Sequence, residues 1–153
     1  MGARQEPRTE RRGDYFRYFP ISQRPGNCDV HGRATIAACG TWFEQVIDDF
    51  LKHECGLDGL ADCDNLRVHT FESTCRFHRV FGFPDTIEAG LRVGEMGACA
   101  VRFEIGLFRV GEDKPVATGS VVRVFALDES DKPAVLPGAL RTCLVALSHV
   151  DTR

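Results

Sequence analysis

Between Thr35 and Cys55, apolar side chains recur at three- and four-residue steps: Ile36, Cys39, Phe43, Val46, Ile47, Phe50 and Leu51. Glu44, Gln45, Asp48, Asp49 and Lys52 take the other faces. A stripe of that period is a helix that must lay one face on a core. It is the one long helix the sequence predicts, so the partner for that face has to come from strands. Gly56 stands where a left-handed cap would end the helix. Gly40, inside it, costs about 1 kcal/mol relative to alanine unless close packing needs it, which predicts a strand or a partner backbone crossing there.

The strands follow from alternation. Tyr15, Phe16, Tyr18, Phe19 and Ile21 form an aromatic run, with Pro20 marking a sheet edge or a strand end. Val68–Phe77 reads as a strand, and Thr86–Glu95 places Ile87, Ala89, Leu91 and Val93 on one face. Ala98–Val110 alternates again, and Gly111-Glu112-Asp113-Lys114-Pro115 supplies a hairpin connection. Val116–Leu127 is apolar on both faces, as a central or interfacial strand would be, and Pro137 opens a short final helix through Leu147. The order predicts an α+β domain over residues 14–153, an antiparallel sheet of about five strands curled around one long helix. Residues 1–13 carry six charges, Pro7 and no apolar periodicity, which reads as a disordered tail.

Several function classes are set aside by composition. Nineteen basic against 22 acidic residues leave a formal charge of −3, so no basic field advertises nucleic acid. No apolar run approaches the roughly 18–20 residues that span a bilayer, and the N-terminus lacks the pattern of a secretory leader. No membrane association is expected. Seven cysteines, an odd number without a Cys-x-x-Cys pair, suit reduced thiols and a cytoplasmic location better than a disulfide framework. His53, Cys55, Cys63 and His69 have no zinc-motif spacing, so no metal site is expected.

The remaining chemistry concentrates in Gly26-Asn27-Cys28-Asp29-Val30-His31-Gly32, a glycine-bracketed turn just before the long helix. A helix N-terminus offers unpaired N–H groups and partial positive charge, which can hold a developing oxyanion while a nearby carboxylate drives attack. Asp29 is the candidate carboxylate. Its alternative role is structural, since an aspartate at a helix entry commonly accepts backbone N–H bonds from its own loop.

This turn resembles the Gly-Asp-x-Asp-x-x-Gly turn of the hot-dog-fold acyl-CoA thioesterases, particularly the hydroxybenzoyl-CoA thioesterase type. Phe77-His78-Arg79-Val80-Phe81-Gly82-Phe83-Pro84-Asp85 is similar to that family's strand exit, and Gly94–Ile105 to its following turn and strand. The resemblance spans roughly Tyr15 to Leu144. It departs where Asn27 replaces the first acidic residue, where Pro25 replaces an aromatic one, and where the frequent His-Val-Asn-Asn reads Arg33-Ala34-Thr35-Ile36. That branch also carries basic residues for coenzyme A phosphates at positions matching Gly97-Ala98-Cys99, none of which is basic here.

The resemblance implies hydrolysis of an acyl-CoA or acyl-carrier-protein thioester by Asp29, as nucleophile or general base, with backbone N–H groups of Thr35 and Ile36 at the oxyanion. Asn27, His31, Arg33 and Glu44 are supporting candidates, Glu44 toward a partner's site. No cofactor is implied beyond coenzyme A as part of the substrate, whose binding residues stay unassigned, though Arg76, Arg79, Arg92, Arg102 and Lys114 have the charge for phosphates. A homodimer or dimer of dimers is implied. The competing readings are a hot-dog module that binds an acyl ligand or scaffolds a partner without catalysis, and a hydratase on the same fold. The hydratase pattern Asp-x-Asn-Pro followed by His is absent.

Overall fold

The computed structural model describes residues 10–57, 66–127 and 132–148. Strand β1 (Arg17–Ile21) leads through the acidic turn into helix α1 (Ile36–Asp49), which continues as one wider turn over Phe50–Glu54. Strands β2 (Leu66–Phe77), β3 (Ile87–Met96), β4 (Ala100–Arg109) and β5 (Ala117–Leu127) follow, then the two-residue β6 (Lys132–Pro133) and helix α2 (Gly138–Val145). The long strands lie in the order β1-β3-β4-β5-β2, all antiparallel, with β6 beside the end of β5. The periodic segments thus become the predicted elements, with ends within a few residues. Val116–Leu127 becomes β5, an interior strand between β4 and β2 whose Val121 and Phe125 are buried in the core, while its other face carries Thr118 and Ser120 as well as valines, so it is not apolar on both faces.

The helical stripe does what its period requires. Cys39, Phe43, Val46 and Ile47 are buried against the inner sheet face, which presents Leu91, Phe103, Ile105, Val121 and Phe125. Each fully buried side chain of this size contributes about 1.5–3 kcal/mol. Trp42 is buried in the same core, and Leu140 and Leu144 of α2 close it. Gly56, with φ +62°, ends the helix in the left-handed region as its position predicted.

Three further expectations change. Gly40 has open space where a Cβ would sit, so among the described residues no strand of this subunit crosses there. Gly40→Ala is accordingly expected to raise stability by about 1 kcal/mol, read as a higher urea midpoint at unchanged slope. The cysteines are not all thiols: Cys55 at the end of α1 and Cys143 in α2 form a disulfide, their Cα atoms 5.7 Å apart. Spacing could not reveal that α2 folds back onto the end of α1. Cys63, of the four-residue His/Cys set, lies outside the described residues, as does most of the expected tail. The tail's last residues, Glu10–Gly13, lie against the sheet, where Arg12 reaches Glu88 and Arg92 binds Glu10.

That contact is on the outer face. Tyr15 covers the backbones of Gly90 and Gly106, and the Arg92 guanidinium lies 4.8 Å from its ring centroid. Among the described residues, no helix is long and apolar enough to cross a membrane.

Candidate active site

The acidic turn is shaped by its own backbone. Asp29 N–H donates to the Arg33 carbonyl at 2.8 Å and the Gly32 N–H to the Asp29 carbonyl at 3.0 Å. The Asp29 Oδ1 accepts the His31 and Arg33 amides at 2.9 and 3.0 Å, and Oδ2 faces Arg33 Nε at 3.6 Å. The carboxylate is 38% exposed. The Arg33 amide foremost, joined by the His31 amide and the Arg33 charge, holds its pKa below the usual 3.8 against desolvation, the second-largest influence, which acts the other way. A depressed carboxyl lends stability above its unfolded value, and that contribution is lost as pH falls through the lower folded value. Carboxyl-detected NMR titration is expected to find the Asp29 midpoint below 3.8. A midpoint at or above that value would mean the loop bonds do not persist in solution.

Thr35 starts α1 and its Oγ1 accepts the Ala38 amide at 3.1 Å, the usual duty of a threonine N-cap. Its own amide donates to the Asn27 carbonyl at 3.1 Å, so Thr35 N–H is not free for an oxyanion. The Ile36 and Ala37 amides have no acceptor among the described residues. These two, not Thr35 and Ile36, are the open donors of the first turn. Asn27 uses its side chain locally, accepting the Arg24 amide at 2.8 Å. His31 lends its amide to Asp29. Cys28 Sγ accepts the Phe83 amide at 3.4 Å.

Glu44 stands apart from this cluster. It pairs with the buried Arg123 of β5, accepts Thr70 Oγ1 at 2.7 Å, and does not line the Asp29 cavity. Its position on α1 is explained by the buried guanidinium, which also pairs with Asp48 and would otherwise lack a counter-charge.

What the turn meets was less visible. Asp29, Arg33 and Ala34 line a cavity of about 350 Å³ together with Phe77, His78, Arg79, Val80 and Phe81 of the strand exit. Ala34 N–H donates to the Phe81 carbonyl at 2.7 Å, and Arg109 Nη2 holds the Val80 carbonyl at 2.7 Å. Gly82 permits the approach: a Cβ there would lie 2.0 Å from the Gly32 carbonyl oxygen. The signal in the sequence was the Phe77–Asp85 motif, whose cavity-lining Phe77, Val80 and Phe81 carry no obvious chemistry by type.

A curled antiparallel sheet around one helix, with a carboxylate in the loop before that helix, is the hot-dog architecture. The PA5185 protein of Pseudomonas aeruginosa superposes with TM-score 0.85 at 30% identity, over 92% of this chain and 96% of its own. The BH1999 gentisyl-coenzyme A thioesterase matches at TM-score 0.71 and 19% identity, over 84% and 99%. The dynemicin thioesterase matches at 0.77 and 17%, over 87% and 97%. No protein-family model matches the sequence, and no curated protein matches it significantly. The chain belongs to the family of the PA5185 protein, and its fold is the hot-dog fold of the two thioesterases.

Proposed function

We propose that the protein hydrolyses an acyl thioester, with Asp29 as the catalytic carboxylate and an acyl-CoA as the substrate class. The observation that carries this reading is an aspartate lining a cavity of mixed apolar and charged walls at the start of the central helix of a hot-dog fold. Sulfur donates poorly into a carbonyl, so a thioester needs a placed carboxylate and an oxyanion site rather than a metal. Attack by Asp29 would give an acyl-enzyme anhydride and release the thiol, and water would then cleave the anhydride. Alternatively, Asp29 would take a proton from the attacking water. The Ile36 and Ala37 amides are the donors for the oxyanion. A cavity of about 350 Å³ suits an acyl or aryl group rather than a whole cofactor thioester.

The assembly in this reading is a homodimer joined along β2. That strand is 12 residues long and, among the described residues, pairs on one side only. Phe71, at its bulge, is 78% exposed. A long uncovered edge with an exposed aromatic is a surface that proteins ordinarily pair or cover.

One observation favours a second reading, a module that binds an acyl ligand without cleaving it: Asp29 Oδ1 is already engaged by two loop amides. The deciding experiment follows thioester absorbance over a panel of aliphatic and aromatic acyl-CoAs, which avoids thiol traps in a chain with seven cysteines. Turnover supports hydrolysis. Saturable binding without turnover on any member supports the second reading.

A further inference from the structure

A groove of about 950 Å³, larger than the Asp29 cavity, lies on the outer sheet face and shares His78 and Arg79 with that cavity. Its floor is made of hydroxyls. Thr74 and Ser120 are paired across β2 and β5 at 2.8 Å, and Thr118 meets His78 Nε2 at 2.7 Å. Four cations line it, Arg76, Arg79, Arg92 and Lys114, against two carboxylates, Glu10 and Glu104. Both carboxylates are committed to Arg92, at 2.9 and 3.2 Å. Arg79 leans on Glu112 at 3.4 Å, outside the groove. Arg76 and Lys114 have no carboxylate partner among the described residues. They stand on different elements, one on β2 opposite Thr118 and the other in the β4–β5 connection, and both line the same space.

We propose that this groove binds the phosphorylated nucleotide end of a coenzyme A thioester, with Arg76 and Lys114 as phosphate partners. The proposal rests on the thioesterase-fold reading of the Asp29 cavity and extends it to the other end of the substrate. A surplus of unpaired cations over a hydroxyl-rich floor suits phosphate oxygens, which accept from guanidinium, ammonium and hydroxyl donors alike. The volume is that of a small-molecule site and exceeds what the acyl cavity offers. The shared His78–Arg79 rim makes the two spaces neighbours, so one ligand with an apolar acyl end and an anionic nucleotide end can occupy both. His78 reports the same field: burial first and then the Arg76 charge push its pKa down from the usual histidine value. The groove also supplies the basic residues that Gly97-Ala98-Cys99 lack.

The test uses the full chain and adenosine bisphosphate as the calorimetric probe. Binding is expected, weaker at raised salt, and weaker by at least about tenfold in the double variant Arg76→Ala, Lys114→Ala. The charge-preserving Arg76→Lys, Lys114→Arg variant is expected to keep most of the affinity. In kinetics, the double alanine variant should lower kcat/KM for an acyl-CoA about tenfold relative to kcat/KM for the same acyl group on pantetheine, which lacks the nucleotide. Equal binding by native and double alanine proteins would overturn the assignment. Lost binding with an unmoved kinetic ratio would overturn it too, marking a nucleotide site separate from the substrate's. A chain that cleaves no thioester yet binds the probe through these two residues supports the groove and removes only the hydrolytic reading.

Discussion

Asp29→Asn is expected to lower kcat for thioester hydrolysis by about a hundredfold to ten-thousandfold, the range lost with a general base or a comparable catalytic carboxylate. The substitution is nearly isosteric. An asparagine Oδ1 can still accept the His31 and Arg33 amides, so the turn keeps its bonds while the charge disappears. Thermal melting should therefore stay close to the native curve while turnover collapses, and that separation is the informative result. Retained turnover would remove Asp29 from the chemistry. The engaged Oδ1 has a consequence for the mechanism: Oδ2 is the oxygen left to attack or to orient water, and Arg33 Nε faces it at 3.6 Å. Asp29→Glu keeps the charge but moves it by one methylene, away from the loop amides. Recovery of only a small part of the rate by glutamate would show that placement counts as well as charge.

Gly82→Ala is expected to cost about 3 kcal/mol of stability and about a hundredfold in turnover. An added Cβ would meet the Gly32 carbonyl oxygen at 2.0 Å, the Gly32 carbonyl carbon at 3.1 Å and the Arg33 Cα at 3.2 Å. All three are backbone atoms, so no side chain can rotate away and the acidic turn itself must shift. A shift of about 1 Å in a catalytic group is enough to cost roughly a hundredfold in rate. Denaturant unfolding and steady-state kinetics on the same preparation measure both effects. Near-native stability and turnover would mean that the turn and the strand exit do not lie against each other in solution. Gly40→Ala provides the contrast, since its added methyl meets open space in a helix.

The contrast between these glycines shows where sequence reasoning stops. Gly40 looked like the site of a close approach because a glycine within a helix needs a reason. Gly82, inside the Phe77–Asp85 motif, carried no such signal. Only the fold tells them apart, because a close approach is made by a residue distant in sequence. Thr35 makes the same point at shorter range. Its identity and place predict an N-cap, and it is one, but the loss of its amide to Asn27 depends on how the turn folds back. Glu44 looked available to a neighbouring site until Arg123, 79 residues later, was found beneath it.

The sequence by itself determined the elements and the fold: one helix with a 3.6-residue stripe, strands with alternating faces, and a carboxylate placed just ahead of the helix. These are local properties, set by the backbone period and by which side chains must leave water. The tertiary structure alone decided what gathers around Asp29. The register of β5 on β2, the return of the strand exit past Gly82, and the docking of α2 that joins Cys55 to Cys143 are relations between distant residues. They depend on how faces pack, and no local pattern encodes them.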